Sequence, residues 1–122
     1  MKALFDTNIL IDYLNGVEAA REELRRYPEQ LISPISWMEV MVGTRGEHEA
    51  AVRGFLSGFR PVVIDPEVAE QAVRLRREHR IRLPDAIIWA SAHRESALLV
   101  TRNAKDVPPE HPGVRVPYEL PA

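Results

Sequence analysis

Short apolar runs suited to β-strands alternate along this chain with longer stretches patterned as helices, and that alternation restricts the possible folds most. Ala3-Leu4-Phe5, Leu31-Ile32, Val62-Val63-Ile64, Leu98-Leu99-Val100 and Val114-Arg115-Val116 are the candidate strands. The runs 62–64 and 98–100 are unbroken in apolar character, as expected of strands covered on both faces. Between the runs, Val17, Ala20, Leu24 and Tyr27 recur at helical spacing, with Glu18, Arg21, Glu22, Arg25 and Arg26 on the opposite side. Ala51, Val52, Phe55, Leu56 and Phe59 make a second apolar stripe, and Val68, Ala72 and Leu75 a third, opened by Pro66. Pro84 opens a fourth, lined by Ile88, Trp89 and Ala92. The pattern predicts an α/β fold in three layers, a mostly parallel sheet of about five strands with helices on both faces.

The length of 122 residues suits one domain spanning 1–122, and 45% apolar residues supply a core. Pro108-Pro109 and Pro112-Gly113 read as a late loop, not a linker. There is no cysteine, which removes disulfides, thiolate nucleophiles and sulfur-ligated metals. A formal charge of -2 gives no overall basic excess. The opening Met1-Lys2-Ala3-Leu4-Phe5 is apolar too briefly for a signal peptide, and no apolar run is long enough to span a membrane. A soluble, cytoplasmic protein is expected.

In open parallel sheets, ligands bind beyond the carboxyl ends of the strands. Asp6 stands directly after the first strand, in Leu4-Phe5-Asp6-Thr7-Asn8, and Glu39 follows the second, in Ser36-Trp37-Met38-Glu39. Thr101, Asn103 and Asp106 follow the fourth strand, in Thr101-Arg102-Asn103-Ala104-Lys105-Asp106. Asp85 precedes Ile88, Trp89 and Ala92 by three, four and seven residues, which puts its carboxylate on the core-facing stripe of its helix. An inward charge is costly unless it is paired or holds a metal. Several carboxylates converging at one sheet edge repel one another and call for a cation. Oxygen ligands favour a hard ion, Mg²⁺ or Mn²⁺, and such ions polarise phosphates and activate water. The chemistry suggested is metal-assisted phosphodiester hydrolysis.

Each acid also has a plainer reading. Ser36-x-x-Glu39 has the form of a capping box. Asp85 after Pro84 favours a helix N-terminus, Asp6 suits the cap of a helix starting near Asn8, and Asn103-x-x-Asp106 suits a turn. Capping gives no reason, however, to gather acids at one sheet edge. His48, His79, His93 and His111 lack metal-ligand spacing, and no glycine-rich phosphate loop is present. Trp37 and Trp89 read as core. Arg74, Arg76, Arg77, Arg80 and Arg82 form a basic run that is either a solvated helix face or a phosphate-contacting patch.

Taken together, Asp6-Thr7-Asn8, Glu39, Leu83-Pro84-Asp85-Ala86 and Thr101-Arg102-Asn103-Ala104-Lys105-Asp106 resemble, in order and over nearly the whole chain, the PIN domain as found in VapC-type toxins. The resemblance implies a Mg²⁺- or Mn²⁺-dependent endoribonuclease. Asp6, Glu39 and Asp85 would be metal ligands, with Asp106 the remaining acid, because Asn103 stands where many members carry Asp. Thr7, Asn8, Thr101 and Asn103 would hold the acids in place. The implied partners are an RNA substrate, a cognate antitoxin protein and, as a homodimer, a second copy. A PIN-like module that has lost catalysis and binds RNA or protein is the alternative, favoured by Asn103 alone. A haloacid dehalogenase-type phosphatase also begins strand–Asp but needs a second Asp where Asn8 stands.

Overall fold

The computed structural model describes residues 1–121. Five parallel strands, β1 (Lys2–Phe5), β2 (Glu29–Ile32), β3 (Arg60–Pro61), β4 (Leu98–Val100) and β5 (Val114–Arg115), form one sheet in the order β3-β2-β1-β4-β5. The helices are α1 (Thr7–Leu14), α2 (Glu18–Arg25), α3 (Pro34–Val42), α4 (Glu49–Leu56), α5 (Pro66–His79) and α6 (Leu83–Arg94). A short 3-10 turn at Gly46–His48 leads into α4.

The central strand shows how the layers arise. Successive side chains of a strand point to opposite faces. Ala3 and Phe5 therefore pack with Ile9, Leu10, Leu24, Tyr27, Val40, Leu56 and Phe59 on one side. Leu4 points the other way, to Val68, Ala72, Leu75, Ile88 and Trp89 of α5 and α6. Leu4 is in register with Leu31 of β2 and Leu99 of β4, so the strand is covered on all sides and has no exposed surface. The expected α/β sheet clad on both faces is what forms.

Helix ends follow local chemistry. Ser33 caps α3 by accepting from the Ile35 N–H (3.1 Å), with Pro34 at the first position, where no amide hydrogen is needed. Asp65 caps α5 in the same way through Val68 N–H at 2.9 Å, followed by Pro66. Beyond α1, Gly16 takes a φ of +83°, a turn that a side chain would strain.

Two expectations need correction. The third strand is Arg60–Pro61, not 62–64. Pro61 has no amide hydrogen and is tolerated here because β3 is the sheet's edge. Val62 N–H still reaches Ile32 O (2.9 Å), after which the chain leaves the sheet and Val63 is 73% exposed. The capping box at Ser36 is also absent. The cap is Ser33, which places Ser36 inside α3, fully buried, with Glu39 farther along the helix. Among the described residues, no helix is long and apolar enough to cross a membrane.

Candidate active site

The strand order puts the topological switch between β1 and β4. The chain proceeds outward from β1 to β2 and β3, then returns to place β4 and β5 on the other side. At such a point the connections leave in opposite directions and open a crevice at the carboxyl ends. Asp6 follows β1 and Thr101 follows β4, so both residues stand on its rim. The Asp6 N–H bonds Val100 O across the gap at 2.9 Å.

Asp6 is the N-cap of α1 and is only 6% exposed. Its Oδ1 accepts from Thr7 N–H at 2.7 Å, and its Oδ2 accepts from the Thr101 hydroxyl at 2.7 Å and the Asn8 amide at 3.4 Å. Thr101 Oγ1 in turn accepts from Asn8 Nδ2 (3.3 Å) and Asn103 N–H (3.0 Å). Asn8 Oδ1 accepts from Arg102 N–H at 3.1 Å, which ties α1 to the segment after β4. All four expected supporting residues thus touch the acids or one another. Among the described residues, no basic side chain bonds Asp6. Burial pushes its carboxyl up to about 6, against the bonds from Thr101 and Thr7, and the charges of Asp85 and Glu39 push the same way.

Glu39 enters from α3. Its Oε1 accepts from Thr7 Oγ1 at 2.6 Å, and the same hydroxyl meets Ser36 Oγ at 2.9 Å. Thr7 therefore bridges Asp6, through its amide, and Glu39, through its hydroxyl. Asp85 lies in the first turn of α6, its side chain 13% exposed, with Oδ2 3.3 Å from Arg82 Nε. Three acids distant in sequence act on one corner. Asp106 sits apart from them: it is exposed, and Asn103 Nδ2 donates to its Oδ2 at 2.9 Å while its own N–H reaches Asn103 Oδ1 at 3.3 Å. Its link to the corner runs through Asn103 and Thr101.

Asp6, Glu39 and Asp85 offer only carboxylate oxygens, a donor type that suits a hard divalent cation. The uncompensated buried charge of Asp6 gives such an ion a reason to bind. Among the described residues, no three acidic or histidine side chains already close around one point. Glu39 is turned to Thr7 and Asp85 to Arg82. Asp6, Glu39 and Asp85 fit a metal by charge and donor type, with each of the three already engaged by neighbouring groups.

One supporting device escaped the sequence reading. Asp12, on α1 and only 4% exposed, accepts from Arg102 Nε (2.7 Å) and Nη2 (3.1 Å) and from the Tyr118 hydroxyl (2.8 Å). It locks the Arg102 backbone that holds Asn8 and pins the C-terminal segment. The one available signal was an acid set among Ile9, Leu10, Ile11 and Tyr13.

The PIN domain family model matches residues 3–105. A ribonuclease VapC10 of Mycobacterium tuberculosis is 34% identical over 86% of this chain and 85% of its own length. A protein in a toxin–antitoxin complex from Klebsiella pneumoniae is 48% identical, with a TM-score of 0.91 over 97% of this chain and 99% of that one. A DNA-bound VapBC structure from Salmonella typhimurium gives 26% identity and a TM-score of 0.76, over 94% of this chain and 96% of that one. With its sheet order, its switch-point acids and these likenesses in agreement, this chain belongs to the PIN domain family, alongside the VapC ribonucleases.

Proposed function

We propose that this chain is a metal-dependent endoribonuclease and the toxin of a toxin–antitoxin pair, acting in the cytoplasm. The observation that carries the reading is the Asp6 carboxylate at the switch point, pushed up by burial and further by the charges of Asp85 and Glu39, with no basic partner among the described residues. Asp6, Glu39 and Asp85 would hold Mg²⁺ or Mn²⁺, with Asp106 as the fourth acid. When bound, such an ion supplies Lewis-acid polarisation of the phosphate and a more acidic water. The chain's own residues prepare the place. Thr101 and the Thr7 amide fix the two Asp6 oxygens, the Thr7 hydroxyl sets Glu39, and Asn8 braces the rim. A cognate antitoxin and a second copy of the chain are the protein partners this reading expects.

The Asn103 side chain serves the turn that holds Asp106. The test is RNA cleavage by protein purified free of any antitoxin. Cleavage should appear with Mg²⁺ or Mn²⁺, vanish with a chelator, and be lost in Asp6→Asn and Asp85→Asn. Calorimetry should show metal binding in the wild type that both variants lack. An Asp6→Asn protein that binds metal and cleaves RNA like the wild type would end the proposal.

A further inference from the structure

The chemistry proposed above leaves the arginines between residues 74 and 82 without a task. Val73, Arg76, Arg77 and Arg80 succeed one another at the spacing of a single helix face. With Leu83 they line a shallow groove of about 460 Å³ at the C-terminal end of α5. Val73 and Leu83 are 42% and 45% exposed. Arg76 is braced, its Nη1 donating to Ile81 O at 3.0 Å. Glu78, the nearest acid in sequence, faces His79. Among the described residues, neither Arg77 nor Arg80 has a carboxylate within ion-pair distance.

Arg80 carries a second signal. It ends α5 at φ 55°, ψ 35°, the left-handed conformation that glycine adopts without strain and a side-chain-bearing residue does not. An arginine at this position costs the fold some stability that a glycine would not. The basic face then leads to the corner of acids. Two residues on, Arg82 is 78% exposed and contacts Asp85 in the first turn of α6.

We infer that this groove seats the phosphate backbone of single-stranded RNA beside the acid corner. Arg77 and Arg80 each meet a phosphate, and Arg82 takes the end nearest Asp85. The inference rests on the ribonuclease reading and names the surface that presents the substrate. A guanidinium matches phosphate with two parallel hydrogen bonds and also stacks on bases, so an arginine-lined groove with apolar sides suits an unpaired strand. A two-fold pairing of copies centred here would instead set arginine against arginine.

The test is a salt titration of binding to a single-stranded RNA oligonucleotide, in chelator so that it is not cut. Each phosphate contact contributes about 0.7 to the slope of log affinity against log salt. Arg77→Gln/Arg80→Gln should therefore flatten the slope by about 1.4 and weaken binding roughly 20-fold near 0.1 M salt. Arg77→Lys/Arg80→Lys should restore the slope, and Arg21→Gln/Arg25→Gln, an equal charge loss on another helix, should leave it unchanged. Arg80→Gly gives the sharpest contrast, because it should raise the melting temperature by about 4 °C while weakening RNA binding. Melting curves establish that each variant is folded. A wild type that binds and cleaves RNA, with the slope intact in the Gln pair, overturns the inference and spares the ribonuclease reading. A wild type that binds no RNA in chelator overturns the inference, and one that in addition cleaves none with Mg²⁺ or Mn²⁺ fails both. An altered oligomeric state with unchanged RNA binding makes the groove a protein interface and overturns the inference.

Discussion

If Asp6 is ionised against the preference of its surroundings, the metal-free fold should lose stability as the pH rises. The carboxyl ordinarily titrates near 3.8 and is pushed up to about 6 in the folded chain. A raised carboxyl favours folding when protonated. Its contribution is thus fully present below 3.8 and is lost as the pH climbs through about 6. At ~1.4 kcal/mol per pH unit, that gap amounts to about 3 kcal/mol of destabilisation by neutral pH. Asp6→Asn removes the titration but also disturbs the bond to Thr101, which costs a fixed amount at every pH. The informative quantity is the difference in unfolding free energy between variant and wild type, measured with urea in chelator across this range. It should move in favour of the variant by about 2.4 kcal/mol between about pH 4 and 7.5. Adding Mn²⁺ near neutral pH should then stabilise the wild type and leave the variant unchanged. A flat difference, or one favouring the wild type as pH rises, would refute the claim that burial and acidic neighbours penalise this charge. The stated reason for a cation would go with it.

Other carboxylates and the core make separate demands. Glu23 is buried, which pushes its carboxyl up, yet hydrogen bonds from Arg115 and Tyr27 and the charges of Arg115 and Arg26 outweigh this and hold it below the usual range. Its stabilisation is present above the ordinary glutamate value of 4.5 and is lost as pH falls through the lower folded value. Glu23→Gln should therefore cost about 1–3 kcal/mol near neutral pH, and its urea midpoint should approach the wild type's on acidification, opposite in sign to Asp6→Asn. Leu4→Ala, at a position with no exposure in the central strand, should cost about 3 kcal/mol by urea unfolding, since the flanking strands and helices are too constrained to close the cavity.

Much of this was legible because it depends on local pattern. The alternation of apolar runs and amphipathic stripes determines an α/β sheet clad on both faces, since each strand and stripe has one way to bury its apolar side. The position of Asp6 directly after β1 follows from sequence alone, and the strand's end aims it at the carboxyl edge. The third strand was misplaced because apolar content at 62–64 resembles a buried strand. Whether a run joins a sheet depends on which backbone edge it meets, and Ile32 O meets Val62 N–H only as the chain departs. The Ser36–Glu39 spacing has the form of a capping box, but the helix starts three residues earlier, where Ser33 is followed by a proline suited to the first helical position.

Long-range pairing belonged to tertiary structure. Thr7 and Glu39 are 32 residues apart, and Thr101 and Asp6 are 95 apart. The first meeting depends on β2 pairing with β1 and the second on β4 crossing to its far side, choices that no local window records. The Asp12, Arg102 and Tyr118 clasp was invisible for the same reason, because its value lies in burial, which is a property of the assembled layers. Sequence determined which residues carry charge and which segments are helical or extended. Only the fold decided which charges would share a corner and be desolvated there, because the strength of a charge's interactions depends on the neighbours and the water the packed chain leaves around it.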